Sequence, residues 1–426
     1  MKLKPSLILP LSALIILLAG SCRKEEQPYS GLFSHSFLYY GSAYNNLDIY
    51  ISENVSEMAR GTLPSISEDK AVFAFIHTTD SHGDYTTPGK AVLLRLYTKN
   101  GANTIDTVKV YQQPVVSSEP EMIRRVLLDA DEICKARTHG FLFSSHATGF
   151  LPKGYSKKSE RAVTLGFSED VPAIPGTAPF YENDPAYPVT KSIGAQYIGS
   201  SLNSYQMNLE EFALAFPFKM DYIILDACLC GGVEVACELS PVCDLLIASP
   251  TEIICAGYAY DTLCQRLMAK EGPDLEGVCK DYFKVMNAVS DSYLRSATIS
   301  LIDCRQLEQL KQACREIFLS CREGLDRLGR NWSSTGVQKY FYDSKSYFFD
   351  LRDIARLSDA TPEQLDRLDA ALDKAVPYFA HTASFFDSLV LENCCGLSVY
   401  LPQENLNVLN GYYRTLAWNK ATNLVK

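Results

Sequence analysis

The chain has 426 residues, enough for two or three domains with a sizeable core, and its 47% hydrophobic and 11% aromatic content excludes a disordered chain. Forty basic against fifty acidic side chains leave a net charge of -10. An acidic surface repels phosphate backbones, so no nucleic-acid partner is expected. In chain order, residues 1–22 read as a leader outside the fold: Lys2 and Lys4, an apolar run, then small residues ending at Cys22. The stretch Leu18-Ala19-Gly20-Ser21-Cys22 resembles a bacterial lipobox, with Ser21 where Gly or Ala is usual. That resemblance implies lipidation of Cys22 and a membrane partner reached through the acyl chains. Residues 23–34 read as a tether, and Arg23-Lys24-Glu25-Glu26 resembles the export tag of surface-exposed lipoproteins. The expected location is therefore the outer membrane and cell surface.

Ser36–Tyr40 reads as a first strand and Asn45-Asn46 as the cap of a helix with Leu47, Ile51, Val55 and Met58 on one face. Ala71–Ile76 is a continuous apolar run, as in a strand buried on both faces. Strands follow at 91–97 and 104–111, the second alternating and nearer an edge. Ser118-Glu119-Pro120-Glu121 reads as a capping box opening a helix with Ile123, Leu127, Ala130 and Cys134 inward. Residues 140–149 form a strand running into a loop, and 152–200 read as a long functional loop. Asn208 caps a helix, 221–228 is a buried strand broken by Gly231-Gly232, 233–239 a short helix and 244–249 another strand.

Strands alternating with helices predict an α/β fold with a mostly parallel sheet flanked by helices. Past residue 262 the pattern becomes mainly helical: a strand at 297–303, one long amphipathic helix over 307–328, helices around 362–376 and a late strand at 395–402. The expected division is 35–262 and 263–426, with the second domain sending one strand back to a sheet.

In an open parallel sheet, ligands bind beyond the carboxyl ends of the strands. Two polar stretches fall there, Ser144-Ser145-His146-Ala147 and Asp226-Ala227-Cys228. A thiol beside an imidazole can become a thiolate, and the imidazolium can protonate a leaving amine. The chain carries fourteen cysteines, an odd thirteen beyond Cys22, at spacings that mark no disulfide framework. Cys228, Cys230, Cys237 and Cys243 match no common zinc spacing, so no metal site is expected. His82, in Asp80-Ser81-His82-Gly83, belongs to a loop, and His139-Gly140 precedes its strand rather than ending it.

With Asp226-Ala227-Cys228-Leu229-Cys230-Gly231-Gly232-Val233-Glu234 downstream of the His146 strand, the chain resembles the clostripain-like cysteine peptidases of the caspase-like clan. Asn45-Asn46-Leu47, 244–252, 256–260, 396–402 and 412–422 also resemble family stretches, so the likeness covers nearly the whole mature chain. It implies a caspase-like fold over 35–262, with Cys228 as nucleophile and His146 as general base. The oxyanion would be held by the backbone N–H groups of Cys228 and Ala147, with Asp226 and Ser145 in support. Cys230 stands where the family has Met and reads as packing. Ala147 stands where the family has Gly, which matters if that position needs a positive φ. A protein or peptide substrate is implied, cut after Arg or Lys, which requires an acid in the specificity pocket. Glu252 and Asp261 are the candidates. Some members need calcium, although no ordered carboxylate loop here marks a calcium site. Family members also cut themselves after a basic residue in the loop between the two strands. Lys191 is favoured here over Lys157, Lys158 and Arg161. Two other readings stay open: an inactive surface lipoprotein that binds through a peptidase fold, and a cysteine amidase or transpeptidase acting on cell-wall peptides.

Overall fold

The structure, a computed structural model, describes residues 26–155, 180–181, 193–198, 200–341 and 347–426. The stretch expected to be a free tether is tied down from Glu26 onward: the Tyr29 N–H donates to the Ile66 carbonyl, and the Ser67 hydroxyl to the Glu26 carboxylate.

The elements follow in order as β1 (Phe33–Ser42), α1 (Asp48–Arg60), β2 (Lys70–Ser81), β3 (Asp84–Lys99), β4 (Ala102–Tyr111), α2 (Pro120–Ile133) and β5 (Ala136–Ser144). Next come β6 (Phe180–Tyr181), β7 (Ile193–Ile198), β8 (Ser200–Met207), α3 (Leu209–Leu214), β9 (Met220–Asp226), α4 (Val233–Leu239), β10 (Cys243–Ala248), α5 (Tyr260–Leu267), α6 (Leu275–Asn287) and β11 (Thr298–Asp303). Helices Leu307–Ser320 and Arg322–Arg330 precede β12 (Phe349–Asp350). Helix Pro362–Ala375 precedes β13 (Tyr378–His381).

Nine strands form the main sheet in the order β13-β11-β10-β9-β5-β1-β2-β3-β4. Its centre, β10-β9-β5-β1-β2, is parallel, and antiparallel strands extend it on both sides. Central strands are apolar on both faces because helices cover both. Phe73, Phe75, Phe141 and Phe143 pack under α2, α3 and the helices beyond residue 306. Phe37, Tyr39, Val72 and Leu142 pack under α1, α5 and α6. Residues on both sides of position 262 share this sheet and both cores.

Several local expectations are corrected. Ser118 does not cap α2: its hydroxyl donates to the Tyr205 carbonyl, and Glu119 stands at the N-cap without a side-chain bond. His139-Gly140 lies inside β5, because its register against β1 continues to Ala136. The amphipathic stripe at 307–328 is two helices, broken at Cys321 with φ -102° and ψ 28°. The expected late strand shrinks to Ser398–Val399, which pairs with β12 and not with the main sheet. The strand that does return to the sheet is β13, against β11. Part of the expected long loop is ordered, since β6, β7 and β8 form their own sheet.

Glu234, on α4, is fully buried. It accepts the Tyr400 N–H at 2.9 Å and the Tyr413 hydroxyl, while its Oε2 finds no partner among the described residues. Burial pushes its carboxyl up to about 7. The folded state therefore binds more protons than the unfolded chain between the ordinary carboxylate range and pH 7. This contribution to stability is complete at low pH and is lost as pH rises through 7, by roughly 3 kcal/mol. Glu234→Gln keeps an acceptor without the charge. Its stability relative to wild type should rise between pH 5 and pH 8, measured by denaturant unfolding. Parallel pH curves for the two proteins would contradict this account.

Candidate active site

β5 and β9 are neighbouring parallel strands with Ser144 opposite Asp226. The Ser145 N–H donates to the Asp226 carbonyl at 3.3 Å, so both chains leave the sheet side by side at its carboxyl edge. Two residues further, His146 and Cys228 line one cleft of about 460 Å³, together with Ser144, Ser145, Asp226 and Glu252. A shared sheet register thus brings together residues 82 positions apart.

The cysteine lies two residues past the end of β9 and is followed by a strained residue. Leu229 has φ 61°, a left-handed conformation that costs an L-residue on the order of 1–2 kcal/mol. Neighbours hold it there: the Leu229 N–H donates to the Thr251 carbonyl at 2.9 Å, and the Gly231 N–H to the Ser249 carbonyl at 2.7 Å. Gly149, itself at φ 58°, passes so close that a Cβ there would lie 2.4 Å from the Leu229 carbonyl oxygen. Glycine is required at that position.

Cys228 Sγ accepts the Ile253 N–H at 3.4 Å and lies 3.7 Å from the Ile253 carbonyl oxygen. Burial pushes its thiol well up, the nearby Glu252 carboxylate adds to the rise, and the Ile253 N–H opposes it. These surroundings disfavour the thiolate, so a nucleophile made from this sulfur needs a base. Cys230 is fully buried, with Sγ 3.3 Å from the Cys228 carbonyl, and packs in the core.

His146 is half-buried, and its Nε2 lies 2.6 Å from Asn46 Oδ1. The same oxygen takes the Tyr197 hydroxyl at 3.2 Å, and the Tyr197 ring lies nearly parallel to the imidazole, at 15° and 6.4 Å. The His146 carbonyl accepts the Gly194 N–H at 2.8 Å, pinning the loop to β7. Ser145 is structural: its hydroxyl donates to the Ser42 carbonyl at 2.8 Å.

Ala147 keeps a negative φ, so the missing glycine costs no backbone strain. It pairs with Ile193 in an isolated antiparallel bridge whose bond runs through the flanking His146 carbonyl. Alternation along an extended chain then turns the Ala147 N–H the other way, towards β9, as the Ser145 N–H is. Ala147→Gly should leave kcat within a few-fold of wild type. It should lower stability by about 1 kcal/mol through added backbone freedom in a buried position. A kcat gain of tenfold or more would show that the alanine restricts the donor.

Two acids face the cleft. Asp226, 9% exposed, takes the Ser144 hydroxyl at 2.7 Å and the Tyr260 hydroxyl at 2.6 Å on Oδ2. Burial raises its carboxyl and these bonds pull it back. Glu252 is half-buried, its Oε2 has no partner among the described residues, and burial pushes its carboxyl up to about 7. Asp261 corrects the expectation made for it: it is exposed on the first turn of α5 and does not line the cleft.

The sequence model of the clostripain family of peptidases matches residues 181–423, more than half the chain and inclusive of the Cys228 block. The chain belongs to the clostripain family. It is a cysteine peptidase by that membership, a hydrolase. Among solved structures, an inactive zymogen of a C11 protease from Parabacteroides distasonis aligns at 22% identity with a TM-score of 0.68, covering 92% of this chain and 99% of that one. A secreted C11 cysteine protease from Bacteroides thetaiotaomicron, iotapain, aligns at 22% identity with a TM-score of 0.70, covering 92% and 100%. A secreted C11 cysteine protease from the same organism, in complex with an irreversible peptide inhibitor, gives 20% identity and a TM-score of 0.68 over 92% and 99%. At these identities the likeness establishes the fold. No curated protein matches the chain.

His146 of this clostripain-family chain lies ahead of the matched segment, and it is the sheet register that brings it to the cysteine. The other histidines are held elsewhere. His82 sits in the β2–β3 turn with Nδ1 2.7 Å from Asp48 Oδ1, and His139 packs on Phe218. Lys191, Lys157, Lys158, Arg161 and Cys22 lie outside the described residues. Among the described residues no group of three His, Cys, Asp or Glu side chains converges as a metal site, and no helix is long and apolar enough to cross a membrane. Sequence reasoning missed Asn46 as the partner of His146. The available signal was its place just beyond the end of β1, the parallel neighbour of β5.

Proposed function

We propose that the chain is an endopeptidase that works through Cys228 and His146 and favours a peptide bond after Lys or Arg. The observation that carries this is the placing of one thiol and one imidazole beyond the ends of adjacent parallel strands, in one cleft. The imidazole takes the thiol proton as sulfur attacks the carbonyl carbon. The oxyanion forms against the N–H groups of Cys228 and Ala147. The imidazolium then gives its proton to the leaving amine, and water hydrolyses the thioester. Asp226 and Glu252 line the cleft, and a basic side chain placed against Glu252 would draw its raised carboxyl into the charged form and satisfy it there.

The leader supports the remaining elements of the reading: acylation at Cys22, a membrane-held mature chain and display at the outer surface. Lys191, two residues before β7, is the proposed self-cleavage point. The test is mass spectrometry of the protein after exposure to lysyl and norleucyl acyloxymethyl ketone probes. A lysyl adduct on Cys228 is expected, and Glu252→Gln should cut the lysyl-to-norleucyl rate ratio about tenfold. Absence of any adduct on Cys228 would instead favour an inactive binding protein, and an unchanged ratio would remove Glu252 from specificity.

A further inference from the structure

The geometry points to Asn46 as the residue that positions His146 for proton transfer, holding Nε2–H through its side-chain oxygen and leaving Nδ1 as the nitrogen that accepts the thiol proton. This rests on the reading of His146 as the base. Asn46 Oδ1 stands 2.6 Å from His146 Nε2 and receives the Tyr197 hydroxyl at 3.2 Å. With the amide oxygen facing both groups, the two contacts close as hydrogen bonds when Nε2 and the hydroxyl each donate to it. An oxygen cannot donate, so the imidazole nitrogen facing it must carry the proton. In the neutral ring the lone pair is then on Nδ1.

The amide is placed by its neighbour. Asn45 is fully buried; its side-chain nitrogen donates to the carbonyls of Ser42 at 3.0 Å and Ala195 at 2.6 Å, and its oxygen accepts the Leu47 N–H at 2.8 Å. That turn fixes Asn46 just beyond the end of β1, the strand beside β5. The pair Asn45-Asn46 therefore divides its work: the first builds the turn and the second orients the ring. Asn46 is neutral, so it sets the ring's direction and tautomer without adding a charge that would favour imidazolium.

The test is steady-state kinetics of wild type, Asn46→Ala, Asn46→Asp and His146→Ala on one lysyl peptide across pH 5 to 9, with thermal unfolding of each protein. Asn46→Ala should lower kcat at least tenfold with KM within about twofold and Tm little changed. Asn46→Asp also accepts from Nε2–H, so it should recover most of the lost kcat. Its carboxylate should move the acidic limb of kcat/KM up by about one pH unit. Wild-type kcat in Asn46→Ala with an inactive His146→Ala would overturn the positioning role and leave the base intact. Equal losses in both Asn46 variants, with no movement of the limb, would reduce Asn46 to a structural part. Activity surviving in His146→Ala would remove the base assignment and this inference with it.

Discussion

Cys228→Ala is expected to lower kcat for peptide hydrolysis by roughly 10⁴-fold or more, with KM and folding little altered, whereas Cys230→Ala keeps most of the activity. Both sulfurs are close in sequence but differ in surroundings. Cys228 reaches the cleft and takes the Ile253 N–H, while Cys230 is fully buried on the far side of the left-handed Leu229. Removing Cys230 Sγ costs packing of about 1 kcal/mol and touches no reacting atom. Substantial hydrolysis by purified Cys228→Ala would end the nucleophile assignment. A dead Cys230→Ala with native stability would move it.

The second large effect is His146→Ala, expected to match Cys228→Ala in kcat, with the double variant no worse than either single one. Burial and the Glu252 carboxylate hold the Cys228 thiol protonated, so without a base almost no thiolate forms at neutral pH. A nucleophile and its base act as a unit, and losses within a unit do not add. Raising the pH should partly restore His146→Ala, because hydroxide can then ionise the thiol, and should do nothing for Cys228→Ala. Additive losses in the double variant would mean that the two residues act separately. Full activity in His146→Ala with loss in His82→Ala would show that the base lies elsewhere.

The centre of the sheet was legible because buried parallel strands write themselves as apolar runs. Residues 71–76 and 221–226 could be little else, and their polar ends marked the cleft. The edges were less legible. Residues 395–402 look like a strand by composition, yet only Ser398–Val399 pair, because neighbouring backbone groups bond elsewhere: the Tyr400 N–H goes to the buried Glu234 carboxylate. The stripe at 307–328 carries one continuous apolar face, and nothing in its period marks the break at Cys321. β7 follows a Gly- and Pro-rich stretch, and its partners are set by His146 and Tyr44, far away in sequence. Asn46 was read as a cap, and only the strand order shows that it meets an imidazole 100 residues on. Among the acids, sequence distance could not separate Glu252 from Asp261. The start of α5 does, turning Asp261 to solvent.

The turn that presents Cys228 is completed from the far end of the polypeptide. Gly231 offers its carbonyl to the Ser398 N–H at 2.9 Å, Gly232 bridges to Ser398, and Glu234 receives Tyr400 and Tyr413. On a ribosome these partners emerge about 170 residues after the cysteine they support. Contacts of such long range carry a large loop-closure entropy and are slow to form. The Leu229 turn has its own local partners in Thr251, Ser249 and Gly149, and the C-terminal contacts brace the residues that follow it. A chain that stopped before residue 398 would keep the local bonds of the turn and lose the brace at Gly231, Gly232 and Glu234.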